Sequence, residues 1–398
     1  MAPENTANNG GRSFDRIMDD MRQSSFTFKQ PADLIILLGY SVNLYAAIRI
    51  AVESGIFRVL SASKDPVKAS DLSSRLDDVS GGEDDEKKAD REEYVIRMCR
   101  AVGGMSLLDE IEPGVYQANE LTHTLADPGF DLGIRELFDG ALGPHSTLSH
   151  MTDWGKEKGW TAPERAANGP YQQARGIVGT NTFRHWVQSE PHQLSRLSAL
   201  MKVIQRDRLN WSEWFPADAL FTEGSESGDV PFIVDVGAGL AHDLMGLASR
   251  YPDKKVRFVA EDLPSVIAET REEKLDSRIE LVEHDFFQAQ PIKGAKIYFM
   301  HKIMHDWPDF EDVQILTHIR DAMAADSRIF INDCILPDQG SPLLFSAFDL
   351  CMFVQLNAKE RSETMWKRLI SKVGGLEVRK FWQAPEMKGE GIVEVVKV

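Results

Sequence analysis

Pro231-Phe232-Ile233-Val234-Asp235-Val236-Gly237-Ala238-Gly239 is the stretch whose reading decides the fold. Its apolar and β-branched run ends at an Asp and two closely spaced glycines, and apolar residues resume at helical spacing with Leu244, Leu247 and Ala248. That pattern is a buried strand, a tight turn and a helix. Such a turn brings a strand's C-terminal edge, bare glycine backbone and a helix N-terminus to one point, where doubly wound sheets bind ligands. Glycine lets the backbone approach a flat or charged ligand closely.

Two nucleotide-type readings compete. A dinucleotide fingerprint places its third glycine at position 242, where the chain has His242. The Gly-x-Gly-x-Gly pattern of S-adenosylmethionine (SAM) folds places it at 241, where Ala241 is close in size. A second strand, 256–260, runs into Glu261-Asp262-Leu263-Pro264, so an acid follows the glycines by roughly 25 residues, close to where a carboxylate takes a ribose diol. Ionised Asp262 has two accepting oxygens and no donor, which suits two hydroxyls. A third strand, 279–283, ends in His284-Asp285-Phe286-Phe287. Asp285 and the Phe286 ring suit the edge and face of an adenine, although Phe286 equally suits a core position.

A fourth strand, 295–299, leads into Met300-His301-Lys302-Ile303-Met304-His305-Asp306-Trp307. Asp-Val-Gly-x-Gly, Asp-Leu-Pro-x-Val-Ile, His-Asp-Phe-Phe and His-Asp-Trp, in this order and spacing, resemble the metal-independent, SAM-dependent O-methyltransferases of the caffeate/hydroxyindole type, particularly those of fungal secondary metabolism. The likeness extends over nearly the whole chain. It implies an α/β fold, a Rossmann-like methyltransferase sheet preceded by an all-helical, winged-helix dimerisation domain, with SAM as cofactor. Asp235, Gly237, Gly239, Asp262, Leu263, Asp285, Phe286 and His301 are the positions it assigns to SAM. The family often carries Lys or Arg where His301 stands.

The rest of the chain sets bounds. Its 398 residues suffice for two domains with their own cores. No apolar run is read as reaching the roughly 20 residues of a membrane span, so a soluble protein is expected. A formal charge of −17 repels phosphate backbones and disfavours nucleic acid. Cys99, Cys334 and Cys351 are odd in number and lack metal spacing, which points to a reducing compartment. The polar opening residues lack a signal peptide's apolar centre, and the cytoplasm is the default expectation.

Residues 1–30 read as a flexible or loosely helical arm. Residues 31–135 fit the dimerisation domain, 136–230 a helical, aromatic-rich bridge roofing the pocket, and 231–398 the SAM-binding domain. The apolar helix within 34–57 is expected to bury several faces, and a second copy of the chain is a natural neighbour. A wing at 115–117 raises DNA binding, which the acidic balance opposes. The charged run 80–90 reads as a solvated loop.

The chemistry follows from the acceptor's proton. A phenol ionises near pH 10, so it needs a base, and histidine at about 6.5 is suited to that task. The resemblance makes His305 that base, with Asp333 and Glu360 as the acids orienting its ring, and Asp333 is shorter than the expected glutamate. A carboxylate on one ring nitrogen fixes the tautomer and leaves the other nitrogen to accept. His301 and His305, four apart, raise a metal site, but spacing places no third ligand, so no metal is expected. A hydroxylated aromatic or polyketide-type acceptor is the expected substrate. Two alternatives stay open: a dehydratase or pericyclase that keeps SAM intact as a fixed charge, and an idle SAM-binding regulator.

Overall fold

The computed structural model describes residues 12–23, 31–77, 85–143, 146–177, 179–206, 209–221, 230–384 and 390–398. The chain divides into two units, one of residues 1–144 with 186–207, the other of 145–185 with 208–398. The loop expected at 222–230 lies outside the described residues except for its last position.

The first unit is mainly helical, with three short strands, β1 (Val67–Lys68), β2 (Asp109–Glu112) and β3 (Val115–Gln117), in the antiparallel order β1-β3-β2. Ile56, Phe57, Leu72, Val95, Val102 and Tyr116 lie in its core. Of the arm, residues 12–23 are described: Phe14–Gln23 is helical, and Arg12 pairs at 2.8 Å with Asp109, which also accepts from Asn119. The charged run is not a loop throughout. Residues 80–84 lie outside the described residues, but Asp85 opens the helix Asp85–Gly104. Acids in its first turn complement the helix dipole, and the buried stripe begins only at Val95, continuing at Cys99 and Val102. Apolar periodicity is therefore silent where this helix starts.

Pro31–Glu53 is one helix, ended by Gly55 at φ +79°. Contrary to the composition reading, Ile35–Glu53 is long and apolar enough to cross a membrane, with mean hydropathy 1.7. Its second half behaves as a core helix: Ala47, Ala51 and Val52 are buried, and Arg49 pairs with Glu53 and Asp139. Its first half is bare, with Ile35, Ile36, Leu38, Tyr40 and Val42 exposed.

The second unit holds one mixed sheet built from β4 (Ile233–Val236), β5 (Phe258–Asp262), β6 (Ile279–Glu283), β7 (Ile297–His301), β8 (Arg328–Leu336), β9 (Arg361–Ser362), β10 (Leu376–Gln383) and β11 (Glu390–Lys397). Its order is β10-β11-β8-β7-β4-β5-β6, with β9 added beside β8. Strands β4 to β8 are parallel and the terminal hairpin antiparallel. Helices cover both faces, so the central strands are apolar on both sides. Val234, Tyr298, Met300 and Ile331 enter one core, while Ile233, Ile297, Phe299 and Phe330 enter the other. The chain order reverses between β4 and β7, which makes the C-terminal edge there the crevice of this fold.

β5 and β7 end two residues later than the sequence pattern places them. β8 runs from Arg328 to Leu336, so Asp333 lies inside a strand, and the cause is non-local: β11 pairs alongside, matching Gly391 to Asp333 and Glu390 to Cys334.

The turn after β4 is stitched to β5, since Gly237 and Ala238 N–H both donate to the Glu261 carbonyl at 2.8 and 2.9 Å. Gly237 and Gly239 have φ of +79° and +54°, and Ala241 shares this left-handed conformation at +61°. Left-handed backbone costs a residue with a Cβ about 1–2 kcal/mol, and a buried methyl returns about 0.8 kcal/mol. Ala241 is fully buried, so its near-glycine size is a compromise between these terms. Ala241→Gly is expected to change the unfolding free energy by less than about 1 kcal/mol in urea titrations, and Ala241→Val, β-branched at positive φ, to destabilise by more.

Candidate active site

The turn after β7 carries the candidate base. His305 sits in the 3₁₀ segment Met304–Asp306, anchored by the fully buried Met304 side chain. Its Nδ1 lies 2.8 Å from Glu360 Oε1, and its backbone N–H donates to Asp333 Oδ2 at 3.1 Å. Asp333 Oδ1 stands 3.7 Å from Nδ1, and Asp306 Oδ1 3.4 Å from Nε2. Glu360 is thus placed to accept a hydrogen bond from the ring Nδ1–H, while Asp333 holds the backbone of the turn and contributes charge. The shorter acid changes the second expected contact from ring to main chain. Glu360 N–H in turn donates to Asp349 at 2.9 Å.

Burial opposes a charged imidazole here, but Asp333, Asp306 and Glu360 together outweigh it and raise His305 to about 9. Burial pushes the Asp306 carboxyl up to about 7, with His305 pulling the other way. Burial also works to raise Glu360, yet its bond to His305 leaves it below the usual carboxylate range.

Arg361, next to Glu360, is 1% exposed and ties this arrangement together. Its guanidinium donates to the carbonyls of Met304 at 2.9 Å and Trp307 at 3.1 Å, one on each side of His305. It also meets Asp309 at 2.9 Å and the fully buried Asp312 at 2.6 Å, and lies over the Trp366 ring. The Lys-Glu-Arg run displayed this residue, but the helix positions of Asp309 and Asp312 were needed to give it a role.

His301 is the last residue of β7, not part of a helix with His305, and its Nδ1 faces Asp243 Oδ2 at 2.7 Å. The two histidines therefore do not form the helical metal pair. A different trio, His305, Asp333 and Glu360, has ligand atoms within 4.8 Å of one another. The Lys302 ammonium stands 3.9 Å from Asp333 in that group, which opposes a second cation.

At the crevice, Asp262 accepts from Gly239 N–H at 2.8 Å and from Leu263 N–H at 2.7 Å. Each oxygen keeps acceptor capacity for a hydroxyl. A Cβ on Gly239 would meet nothing within 4 Å, leaving open space over the turn, whereas one on Gly237 would strike Ile303 at 2.5 Å. Phe286 lies 3.7 Å from that same Gly237 position, and Asp285 accepts from Phe287 N–H at 3.0 Å. Asp235 is fully buried with Oδ2 unpartnered. Burial, and then Asp243, Asp262 and Glu261, hold its carboxyl well above the usual range. An acidic, glycine-floored crevice with an orphaned buried oxygen fits a cationic nucleoside ligand such as SAM. Asp243 escaped the sequence reading; an acid in the first turn after the glycines was its only signal.

Comparison with known proteins gives the family and the fold. The O-methyltransferase domain family matches residues 168–375. O-methyltransferase asqD of Emericella nidulans is 29% identical over 384 residues, covering 94% of each chain. The structure of LepI in complex with SAM superposes with a TM-score of 0.81 at 26% identity, covering 96% of this chain and 94% of that one. A pericyclic reaction enzyme superposes equally, at 0.81 and 26%, over 96% and 93% of the two chains.

Arg361→Met removes the donor to the Met304 and Trp307 carbonyls and the cation beside Asp309 and Asp312. Burial already pushes the Asp312 carboxyl well above the usual range, and breaking such a buried cluster costs about 3–5 kcal/mol. The expected result in chemical denaturation is a loss of that size, with Arg361→Met/Asp312→Leu recovering much of it. Equal stability of wild type and single variant would show that the guanidinium does not hold the frame.

Proposed function

This chain belongs to the O-methyltransferase family, whose cofactor is SAM, and from that premise we propose that it methylates a hydroxyl of an aromatic or polyketide-type secondary metabolite with His305 as general base. The single observation that carries the reading is the 2.8 Å contact from His305 Nδ1 to Glu360. A carboxylate on Nδ1 favours the tautomer protonated there, which supports Nε2, 3.4 Å from Asp306 Oδ1, as the nitrogen that would take the acceptor's proton.

Bound SAM supplies a methyl group on a positively charged sulfur, open to attack by a nucleophilic oxygen. The chain's own work is binding, orientation and proton handling. Asp262 would hold the ribose hydroxyls; Leu263, Asp285 and Phe286 the adenine; and Asp235, the glycine turn and His301 the remaining polar groups. Glu360 orients the imidazole and stabilises it once protonated, and Asp333 fixes the turn from which it projects.

The LepI-type likeness favours a second reading, in which SAM stays intact and its charge assists a dehydration or pericyclic step. Incubation with methyl-labelled SAM and a panel of phenolic metabolites separates the two. Label in the product supports methylation; product formed with all label still in SAM supports the second reading; tight binding without any product supports a regulator.

The bare half of Pro31–Glu53 supports a homodimer through the N-terminal unit, since a contiguous exposed apolar stripe marks an interaction surface. Cys99, Cys334 and Cys351 are free, which supports a reducing, cytoplasmic setting.

His305→Asn is expected to lower kcat/KM about 10²–10⁴-fold while calorimetry still finds SAM binding. The base must be neutral to act, and its midpoint is raised to about 9 in the free site. The rate kcat/KM should therefore keep climbing with pH beyond the ordinary imidazole midpoint near 6.5, reach half its plateau at about pH 9 and level only above that. A profile already flat above pH 7 contradicts this. Asp262→Ala should weaken SAM binding under either reaction. Light scattering should find twice the chain mass for the wild type and the single mass for Ile36→Glu/Tyr40→Glu; a monomeric wild type removes the dimer.

A further inference from the structure

Lys302 stands between β7 and the base turn at φ +55°, a left-handed conformation that a lysine adopts only under constraint. The constraint is visible: its N–H donates to the Asn332 carbonyl at 3.1 Å, pinning the peptide against β8. Its ammonium lies 3.9 Å from Asp333 Oδ1, 3.5 Å from Glu390 Oε1 at the head of β11, and 3.6 Å from Cys334 Sγ. Asp333 Oδ1 is thus shared by two cations, since it also faces His305 Nδ1 at 3.7 Å. Asp333 is fully buried, so water does little to screen its charge from either.

We propose that Lys302 is a positioning residue for the base: its ammonium holds the Asp333 carboxylate between itself and His305 and sets how much of that negative charge the imidazole feels. The proposal rests on the reading of His305 as general base. Charge counting explains the need. His305 is faced by Asp306 on its own turn, Asp333 from β8 and Glu360 from the approach to β9, with Asp349 behind Glu360, and Cys351 of the helix Leu343–Leu356 close to Asp306 and Glu360. Three carboxylates around one imidazole hold its proton too firmly for a base that must release it at every turnover. A cation on the far side of Asp333 moderates that hold. Burial works against charge on Lys302, but Cys334, Asp333, Glu390 and Glu360 outweigh it and keep the ammonium protonated. The left-handed backbone is the local strain that accompanies this placement.

The test reads His305 directly, in the full chain and without an acceptor. Ring-labelled histidine is followed by NMR across pH, with the His305 signal assigned by its loss in His305→Asn. Lys302→Met removes a positive charge, which favours the protonated ring, so the midpoint should rise by about one pH unit, and Lys302→Arg should restore it. Glu390→Gln leaves more of the Lys302 charge for Asp333 and should move the midpoint down. These opposite shifts keep the proposal testable should Lys302→Met fail to fold. With an acceptor in hand, kcat/KM at pH 7 in Lys302→Met should fall about tenfold and recover at alkaline pH. Unchanged midpoints in the folded variants, or shifts of the opposite sign, overturn the proposal. Shifts as expected in a protein that transfers no methyl uphold the role of Lys302 and overturn the methyl-transfer reading alone.

Discussion

One buried guanidinium makes His305 and the carboxylate on its ring a single body. Arg361 follows Glu360 directly, so holding the carbonyls of Met304 and Trp307 from Arg361 also fixes the distance from His305 to Glu360. Pairing of Ile335 with Arg361 in β9 brings the same segment beside β8, two residues beyond Asp333. Removing a guanidinium from water costs several kcal/mol unless every donor finds a partner, so the arrangement is stable only when complete. Asp309 and Asp312 on the following helix complete it, and Trp366 closes its face.

Negative charge is concentrated at two points of the second unit, and each is compensated differently. Around the base, Asp306, Asp333 and Glu360 are met by the imidazole and by the Lys302 ammonium. Around the glycine turn, Asp243 has His301 and Asp262 has two backbone N–H donors, while Asp235 keeps one buried oxygen without a partner. A carboxyl left so is disfavoured in its charged form by burial and by the neighbouring acids, which hold it above the usual carboxylate range. The first cluster has an imidazole and an ammonium of the chain's own beside its acids, although Glu360 Oε2 is left without a hydrogen-bond partner among the described residues; the second, with no ammonium or guanidinium beside Asp235 in its hydrogen bonds, is suited to a positively charged ligand. The same residue type thus sits in two different electrostatic settings, set by the partners placed around each acid.

The topology explains why the two points are neighbours in the fold. β4 and β7 lie side by side where chain order reverses, so the turn after one and the turn after the other share the C-terminal edge of the sheet. The glycines serve close approach at the first turn, and Met304 anchors the second. Neither turn contributes its side chains through a long flexible loop, which keeps base and cofactor positions on strand ends.

Much of this was legible along the chain. The continuous apolar runs around Ile233, Val259 and Tyr298, the glycine turn and the acid ending β5 follow local rules: burial of a strand on both faces, positive φ at glycine, and a carboxylate one strand later. His305, Asp333 and Glu360 were reached through motif resemblance. Their division of labour was not, because it depends on which side-chain atoms meet across strands far apart in sequence. The register of β11 on β8 put Asp333 inside a strand, and the 52 residues between Asp309 and Arg361 hid the clamp. The helix start at Asp85 was missed because its first turns carry charge and no buried stripe. By itself, then, the sequence determined the order of elements, the crevice and the residue types that can act there, since short-range sterics and periodic burial dictate these. Only the tertiary structure decided which acid touches the imidazole ring, which holds its backbone and which cation stands behind, because those pairings arise from strand register and from the desolvation of charges that are remote in the chain.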